Sequence, residues 1–359
     1  MTKQSMTELE QNILAIIQDA FPLEKRPYKA LAEQLGSDEQ TVFAAVENLR
    51  NTGIIRRIGG IYDSKKLGFT SRLCAGKVPT VKNGAKDDSA LVKFAEIVNE
   101  IPAITHNYVR SHEYNVWFTV IGESEDVICK IVDEVCSKTA LRDVHVLAAT
   151  KKFKINTVMT QSPRRTSSKP VADREHSRQN IENTVSKDLS LMDRSRIHVA
   201  CGDIPHTLTP YADWGVSVDG LREDLQQKRM RRFGVILRHQ NAGFAYNAMV
   251  CFDSAEGGDV LANNPHVSHC YERPVFEGFP YRLYAMMHAQ SAEDLDLYIK
   301  EAAHSIGNPD YVILNSIQEL KKTSFSFFLE KMCPISQFGR NDRINELSNY
   351  RFVSFFLYL

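Results

Sequence analysis

The chain has 359 residues, of which 43% are hydrophobic, as is typical of a soluble globular protein with two or more domains. Lysine plus arginine (44) equals aspartate plus glutamate (44), so the overall charge gives no reason to expect nucleic acid or an anionic membrane as a partner. The seven cysteines include no C-x-x-C pair, which argues against a disulfide framework or a structural zinc site. The N-terminus shows no signal-peptide pattern and no apolar run approaches a membrane span, so we expect a cytoplasmic protein without membrane contact.

The first segment, residues 7–69, has the pattern of a winged helix-turn-helix. Thr7 and Glu10 form a capping-box pair ahead of a helix predicted over about residues 8 to 20. Two further helical patterns follow, and Gly53 ends the second of them. "IIRRIGGIYD" then alternates as a strand, and we expect it to turn and return at Lys65–Phe69 as a small β-wing.

Residues 70–159 predict a second, different domain. Strand-like "SRLCAGKVP" precedes the amphipathic helix of "DSALVKFAEIVNEI", and two strands, "ITHNYVRS" and "NVWFTVIG", follow. A further helix and the strand "VHVLAAT" complete the order β-α-β-β-α-β, which is that of a ferredoxin-like domain.

The rest of the chain repeats this unit after a linker at 160–196 that is rich in Ser, Arg, Lys and Asn. "RRIGGIYDSKKLGF" (56–69) is answered by "RRFGVILRHQNAGF" (231–244), "THNYVR" by "SHCYER", and "TKKFK" by "LKKTS". We therefore expect a shortened winged helix-turn-helix at 197–244 and a second ferredoxin-like domain at 245–328. The apolar tail at 329–359 matches nothing in the first unit and receives no role.

The predicted fold class is thus α+β, a tandem repeat of winged helix-turn-helix plus ferredoxin-like domain that forms a pseudo-dimer within one chain. This arrangement resembles the leucine-responsive family of transcription regulators, which would imply DNA binding. The third helix, however, carries Asp38, Glu39 and Glu47 against Arg50 alone. An acidic face is repelled by phosphates, so we consider DNA binding unlikely.

Positive charge and aromatic rings instead cluster in the wings and sheets. Arginine forks suit carboxylates held at fixed angles, and flat apolar surface suits a planar ligand, so the pattern favours a planar polyanion. In the first half the charged set is Arg56, Arg57, Lys65, Lys66, His106, Arg110 and His112, and in the second it is Arg231, Arg232, Arg238, His239, His269, Arg273 and Arg282. The aromatic set is Tyr108, Tyr114, Trp117, Tyr271, Phe276, Phe279, Tyr281 and Tyr284.

Each of these features also has a plainer interpretation. Paired arginines at the mouth of a strand are commonly solvated surface, a single strand histidine is commonly structural, and aromatics at alternate positions are commonly core. The H-x-Y-x-R frame weighs against the plainer view, because it occurs at 106–110 and again at 269–273.

The repeated phrases "RRFGVILRHQNAGF", "VSHCYERP", "FPYRLYAMMH" and "ELKKTS", with "THNYVRSHEYNVWFT" in the first half, resemble the siroheme decarboxylase family, here with both halves fused. The resemblance covers about residues 8–158 and 203–328. It implies removal of the C12 and C18 acetate carboxylates of siroheme as CO2, in alternative heme or heme d1 biosynthesis. It implies siroheme as partner and iron-bearing substrate, and no additional cofactor, because decarboxylation with protonation is not a redox change.

On that resemblance, roles can be assigned to the candidate residues. Proton donors are expected in His239 and His269, supported by Tyr271. Either His106 or His112 is expected to bind the siroheme iron or orient the ring. Carboxylate anchoring is expected from Arg56, Arg57, Arg110, Arg231, Arg232, Arg238 and Arg273. Pairing of the pseudo-dimeric chain into a homodimer is left open. The alternative functions are a transcription regulator and a non-catalytic heme-binding sensor.

Overall fold

The computed structural model describes residues 6–82, 85–155, 189–237 and 246–328. The first half contains α1 (Glu8–Ile17), α2 (Pro27–Leu35), α3 (Glu39–Asn51), β1 (Ile55–Tyr62), β2 (Thr70–Gly76), β3 (Val81–Lys82), β4 (Ala85–Lys86), α4 (Ser89–Glu100), β5 (Ile104–Arg110), β6 (Val116–Gly122), α5 (Glu125–Thr139), β7 (Val144–Leu147) and β8 (Lys151–Ile155). The second half contains α6 (Leu191–Ala200), α7 (Pro210–Trp214), α8 (Val218–Gln226), β9 (Met230–Leu237), β10 (Tyr246–Phe252), α9 (Gly258–Asn263), β11 (Val267–Glu272), β12 (Leu283–Ala289), α10 (Ala292–Ser305) and β13 (Tyr311–Lys322). None of these helices has the length and apolar character that a membrane crossing requires.

Local signals fix the helices of the first half. The Thr7 side chain accepts a hydrogen bond from the backbone of Glu10, and the Glu10 carboxylate accepts one from Thr7 in return. Gly36 ends α2 and Gly53 follows α3, both with positive φ (63° and 71°), which a glycine adopts without strain. The three predicted helices are therefore confirmed, although α1 ends at Ile17 rather than near residue 20.

The second helix-turn-helix is reduced, as its sequence predicted. Its middle helix α7 has 5 residues where α2 has 9. Its first helix α6 spans Leu191–Ala200, near the residues 190–202 where "LSLMDRSRIHVAC" predicts it, and it begins there because Ser190 and Asp193 form a capping box. The end of the stretch assigned to the linker, 160–196, therefore belongs to this helix. The remainder of that predicted linker, residues 160–188, and the tail at 329–359 lie outside the described residues.

The wing strands of the two halves pair with each other, and this corrects the expected hairpin. Residues 64–68 form turns, so the Lys65–Phe69 stretch does not return alongside β1. Instead β1 runs antiparallel to β9 in a two-stranded sheet whose middle pair is Gly59 and Gly234. A Cβ atom on Gly59 would lie 2.3 Å from the Gly202 carbonyl oxygen, and one on Gly234 would lie 2.8 Å from that of Ile17. We call this structure the ribbon, and its glycines are needed because a helix end of the opposite half packs against each of them.

A nine-stranded sheet joins the two ferredoxin-like domains in the order β7-β2-β6-β5-β13-β10-β12-β11-β8. Strand β13 is long because its first part pairs with β10 of its own half and its last part with β5 of the other half. In the same way, β8 of the first half crosses over and pairs with β11 of the second half. The predicted β-α-β-β-α-β order is confirmed in both halves, whereas β8 was not foreseen as a strand.

Apolar side chains from both halves form a shared core, so the pseudo-dimer is a single packed unit. This core contains Ala75, Tyr114, Trp117, Leu147, Met249, Cys251, Phe279, Tyr284 and Leu314. Four of the eight aromatic side chains considered as ligand surface, Tyr114, Trp117, Phe279 and Tyr284, are therefore buried in the core, and Phe276 and Tyr281 pack against it. Here the plainer interpretation of the aromatic pattern is correct.

One buried carboxylate ties the ribbon to the second helix-turn-helix. Asp224 is fully buried, and its Oδ1 lies 2.8 Å from Arg229 Nε and 3.0 Å from Arg196 Nη2. Its Oδ2 accepts hydrogen bonds from Arg196 Nε at 3.0 Å and from the Tyr62 hydroxyl of β1 at 2.9 Å. Removing the carboxylate would leave two largely buried guanidinium groups without their shared counter-charge.

We predict that Asp224→Ala lowers the free energy of unfolding by about 3–5 kcal/mol, the cost typical of breaking a buried ion pair. The measurement is urea unfolding followed by circular dichroism. Asp219→Ala is the matched control, because that carboxylate is on the same helix and pairs with Arg222 at an exposed position. Equal midpoints for the two variants would contradict the structural role given to Asp224.

Candidate functional site

The two H-x-Y-x-R frames place their histidine and tyrosine on one face of a strand. In β5, Thr105, Asn107 and Val109 are buried while His106 and Tyr108 between them are half-buried, as strand alternation requires. The imidazole and phenol rings stack, with centroids 6.4 Å apart. In β11, His269 and Tyr271 repeat the arrangement at 6.3 Å. The repetition predicted from the sequence is therefore a real repetition of geometry.

The arginine at the end of each H-x-Y-x-R frame packs over the tyrosine of the same frame. Arg110 donates to the carbonyl oxygen of Leu314 at 2.9 Å and lies over the Tyr108 ring at 5.2 Å. Arg273 likewise donates to the Leu147 carbonyl at 2.6 Å and lies over Tyr271 at 5.1 Å. Both side chains are enclosed by protein, and burial lowers their pKa. Carboxylate anchoring by Arg110 and Arg273 stays a prediction: Nη1 of each donates to the sheet, while Nε of each is buried without a hydrogen-bond partner among the described residues.

A hydroxyl group fixes the orientation of each imidazole. Thr105 Oγ1 lies 2.9 Å from His106 Nδ1, and Ser268 Oγ lies 2.9 Å from His269 Nδ1. In each case the hydroxyl belongs to the residue immediately before the histidine. Because Nδ1 is engaged by the protein, Nε2 is the nitrogen left for a ligand or a proton.

Burial keeps both imidazoles neutral. It lowers the pKa of His106 to about 4, with further lowering by Lys322, Arg56 and His269. Burial likewise lowers the pKa of His269 to about 4, and Arg231 and Lys154 act in the same direction. The two histidines therefore lie within electrostatic reach of one another, in surroundings that favour anions. A neutral imidazole suits metal ligation, and it becomes a proton donor only when bound anions raise its pKa.

The ribbon contains two pairs of consecutive arginines, 56–57 and 231–232, and the two members of each pair make different contacts. The second of each pair binds a helix end of the other half: Arg57 Nη1 donates to the Gly202 carbonyl at 3.1 Å, and Arg232 donates to the Gln18 carbonyl. These contacts satisfy carbonyl groups beyond the last turn of α6 and at the end of α1, where a positive charge is favourable. Carboxylate anchoring by Arg57 and Arg232 stays a prediction, although each guanidinium group already donates to a carbonyl at a helix end.

The first arginine of each pair lies near a histidine. Arg56 lowers the pKa of His106, after burial and Lys322, and Arg231 lowers that of His269 after burial. Arg231 is exposed, and its Nε lies 3.3 Å from a carboxylate oxygen of Asp63. We call the side of β5 that holds His106 and Tyr108 the first-half histidine face, and the side of β11 that holds His269 and Tyr271 the second-half histidine face. One ribbon arginine lies near each of them.

Two lysines near these faces were not singled out as site residues. Lys322 is the β-partner of His106, and Lys152 is the β-partner of Tyr271. Burial lowers the pKa of both, and for Lys152 the next cause is Arg231. Lys152 is nevertheless exposed to solvent. The repeated "KK" of "TKKFK" and "LKKTS" was visible in the sequence, but only as a landmark of the duplication.

His112 does not belong to this cluster. Its Nδ1 accepts a hydrogen bond from the Tyr114 backbone at 3.1 Å, and its ring meets Phe279 edge-on. It lines a separate open cleft of about 560 Å³ with Lys77, Glu113 and Arg142 among others. Of the two histidines predicted to bind the siroheme iron or orient the ring, His106 therefore lies beside the histidine–tyrosine pairs and His112 lies away from them. Arg238 and His239 lie outside the described residues, and the described part of the chain holds no group of three or more His, Cys, Asp or Glu side chains suited to a metal.

The helix that would read DNA is engaged with the other half. Arg50, the one basic residue of the acidic face in α3, binds the Asp203 carboxylate through two hydrogen bonds, at 2.7 and 3.1 Å. His206 stacks on Phe43 of α3 with ring centroids 4.0 Å apart. Through these contacts, α3 packs against the second half of the chain.

Comparison with known proteins agrees with the geometry. Residues 10–56 match the siroheme decarboxylase NirDL-like HTH domain, and residues 66–154 and 241–321 match the AsnC-like ligand binding domain. A siroheme decarboxylase of Hydrogenobacter thermophilus is 31% identical over 340 residues, covering 89% of this chain and 95% of that protein. The chain belongs to the siroheme decarboxylase family.

Two further relatives show how the family is built. The siroheme decarboxylase alpha subunit of Desulfovibrio desulfuricans is 44% identical over 150 residues, covering 42% of this chain and 82% of the subunit. The crystal structure of siroheme decarboxylase NirDL in co-complex with an iron-uroporphyrin III analogue has a TM-score of 0.62 at 26% identity, covering 90% of this chain and 96% of that one. The fused arrangement of this family member is thus shared with a solved relative over nearly its whole length.

The neutral histidines predict a specific pH dependence of stability. A histidine with a folded pKa near 4 and an unfolded pKa near 6.5 takes up a proton on unfolding, so stability falls as the pH drops from about 6.5 to 4. We expect His106→Gln and His269→Gln each to remove about 1 kcal/mol of the loss between pH 7 and pH 5, a figure reduced for partial exposure. Urea unfolding at the two pH values is the measurement, and an unchanged slope in both variants would contradict the assignment.

Proposed function

We propose that this chain is a carboxy-lyase that removes the C12 and C18 acetate carboxylates of siroheme, releasing CO2 and leaving methyl groups. The observation that carries the proposal is the pair of neutral, oriented imidazoles, His106 and His269, each with an arginine of the ribbon within electrostatic reach. The cations near both histidines match the charge of a macrocycle edged with carboxylates. Family membership and the solved relative bound to an iron-uroporphyrin analogue support the same substrate class.

The chemistry requires few protein groups. The bond between the carboxylate carbon and the methylene carbon breaks, CO2 leaves, and the electron pair remains on the methylene carbon, conjugated with the ring. One proton then completes the methyl group, so no electrons are exchanged with another molecule and no further cofactor is proposed. The protein has to hold the other carboxylates in place and to deliver that proton.

We assign anchoring to Arg56 and Arg231 of the ribbon, joined by Lys322 and Lys152 from the sheet. These four cations lie near the two histidine faces. We assign proton delivery to His269 with Tyr271 beside it, because substrate carboxylates near the imidazole would raise its pKa toward neutrality. We propose that His106 would bind the siroheme iron, because metal ligation requires a neutral imidazole.

The proposed reaction is tested by mixing the purified chain with siroheme under anaerobic conditions and recording the mass of the tetrapyrrole. Two successive losses of CO2 per molecule are expected. A shifted absorption band without mass loss would instead identify a heme-binding sensor. Binding to promoter DNA without either change would identify a regulator.

The ribbon arginines provide a matched pair of variants. Arg231→Met is expected to weaken siroheme binding about 10- to 100-fold, the loss of one charge-assisted contact, while leaving the unfolding midpoint nearly unchanged. Arg232→Met, one residue away on the opposite face, is expected to cost about 1–2 kcal/mol of stability through the lost helix-end contact. Spectroscopic titration and urea unfolding measure the two effects. Exchange of the two outcomes would overturn the division of roles.

The proposed proton donor is tested by separating binding from turnover. His269→Ala is expected to lower the rate of CO2 loss about 10²- to 10⁴-fold, the usual range for general acid catalysis, with a much smaller change in siroheme affinity. His112→Ala is the control and should retain activity, because His112 lies in the separate cleft. A loss of activity in His112→Ala equal to that in His269→Ala would place the reaction elsewhere.

A further inference from the structure

The two histidine faces are built alike but carry different charges at one equivalent position. On the second-half face, Lys152 of β8 is the β-partner of Tyr271. On the first-half face, Glu319 of β13 is the β-partner of Tyr108. Paired residues of antiparallel strands project to the same side, so Lys152 and Glu319 each project to the face that holds the tyrosine and histidine of its site.

The surroundings strengthen this difference. On the first-half face, the Glu319 carboxylate lies 3.7 Å from Lys322 Nζ, which partly neutralises the nearest lysine of that site. Glu319 also raises the pKa of Tyr108, after burial, through its charge and a hydrogen bond. On the second-half face, Lys152 lies within electrostatic reach of Arg231, Asp63 and Lys65. Asp63 pairs with Arg231 at 3.3 Å, so three cations accompany one carboxylate there.

This difference leads to one inference, which rests on the proposed function. We propose that Lys152 makes the second-half face the receptor for the reacting carboxylate edge of siroheme, and that Glu319 disfavours the reacting carboxylates on the first-half face, where Arg56 and Lys322 hold other carboxylates of the ring. A reacting carboxylate placed near Tyr271 meets Lys152, with Arg231 and its partner Asp63 close by. The same group near Tyr108 meets Glu319 at the position equivalent to Lys152, and like charges at such separations repel. The chain thus uses one of two equivalent sites for the carboxylates that react.

Charge exchange at this position is the test. Lys152→Glu is expected to weaken siroheme binding at least about tenfold, as for the loss of one partly desolvated cation and the gain of repulsion. Glu319→Lys is expected to leave affinity unchanged or increased. The double exchange, Lys152→Glu with Glu319→Lys, is expected to restore binding and to transfer the dependence of CO2 loss from His269 to His106, as read from alanine substitution of each histidine in that background.

Lys151→Glu is the matched control, because it makes the same charge change one residue away. Lys151 lies over the Phe153 ring at 4.4 Å and its Nζ is 3.9 Å from Asp259, so it points away from the tyrosine face. Urea unfolding verifies that each variant is folded, and Lys152→Met replaces Lys152→Glu if the latter is not. Equal weakening by Lys151→Glu and Lys152→Glu, or continued dependence on His269 in the double exchange, would overturn the inference. An inactive wild-type chain would instead refute the proposed function itself.

Discussion

The structure depends on the antiparallel pairing of β1 with β9 across Gly59 and Gly234. This pairing brings the helix ends of each half against the wing strand of the other, and Arg57 and Arg232 complete it by donating to carbonyl groups at those ends. The pairing is interrupted by register shifts at Arg56 and at Arg231, and each of these arginines lies near a histidine of the sheet. One backbone contact thus fixes the pseudo-twofold arrangement and supplies a cation to each histidine face.

The helix-turn-helix of the first half resembles that of a DNA-binding regulator, but its third helix packs against the second half of the chain. The basic residue of the acidic face in α3 is bound to Asp203, so the helix that would face DNA instead joins the two halves. In the sheet, Thr105 and Ser268 orient their neighbouring histidines while burial holds both imidazoles neutral. Such a site favours anions before any ligand is present, and a bound polycarboxylate would return a proton to an imidazole.

The sequence predicted those features that depend on local periodicity and on repetition. The capping box at Thr7 and the two ferredoxin-like domains are confirmed, and the repeated H-x-Y-x-R frame corresponds to a repeated histidine–tyrosine geometry. It did not predict that β1 pairs with β9, because a strand pattern does not name its partner. The arginine roles depend on that partner, since Arg57 and Arg231 look alike in sequence and differ only in what the fold brings to them. Lys152 was missed for the same reason, as its neighbour Tyr271 lies in the other half.

The central claim is that a carboxylate-edged macrocycle binds between the ribbon and the histidine faces. An experimental structure of the chain with siroheme tests it most directly. We expect the ring to contact His106 or His269, with its carboxylates at Arg56, Arg231 or Lys152. A ring bound in the cleft beside His112, or on the helix-turn-helix surface with both histidines uncovered, would contradict the account.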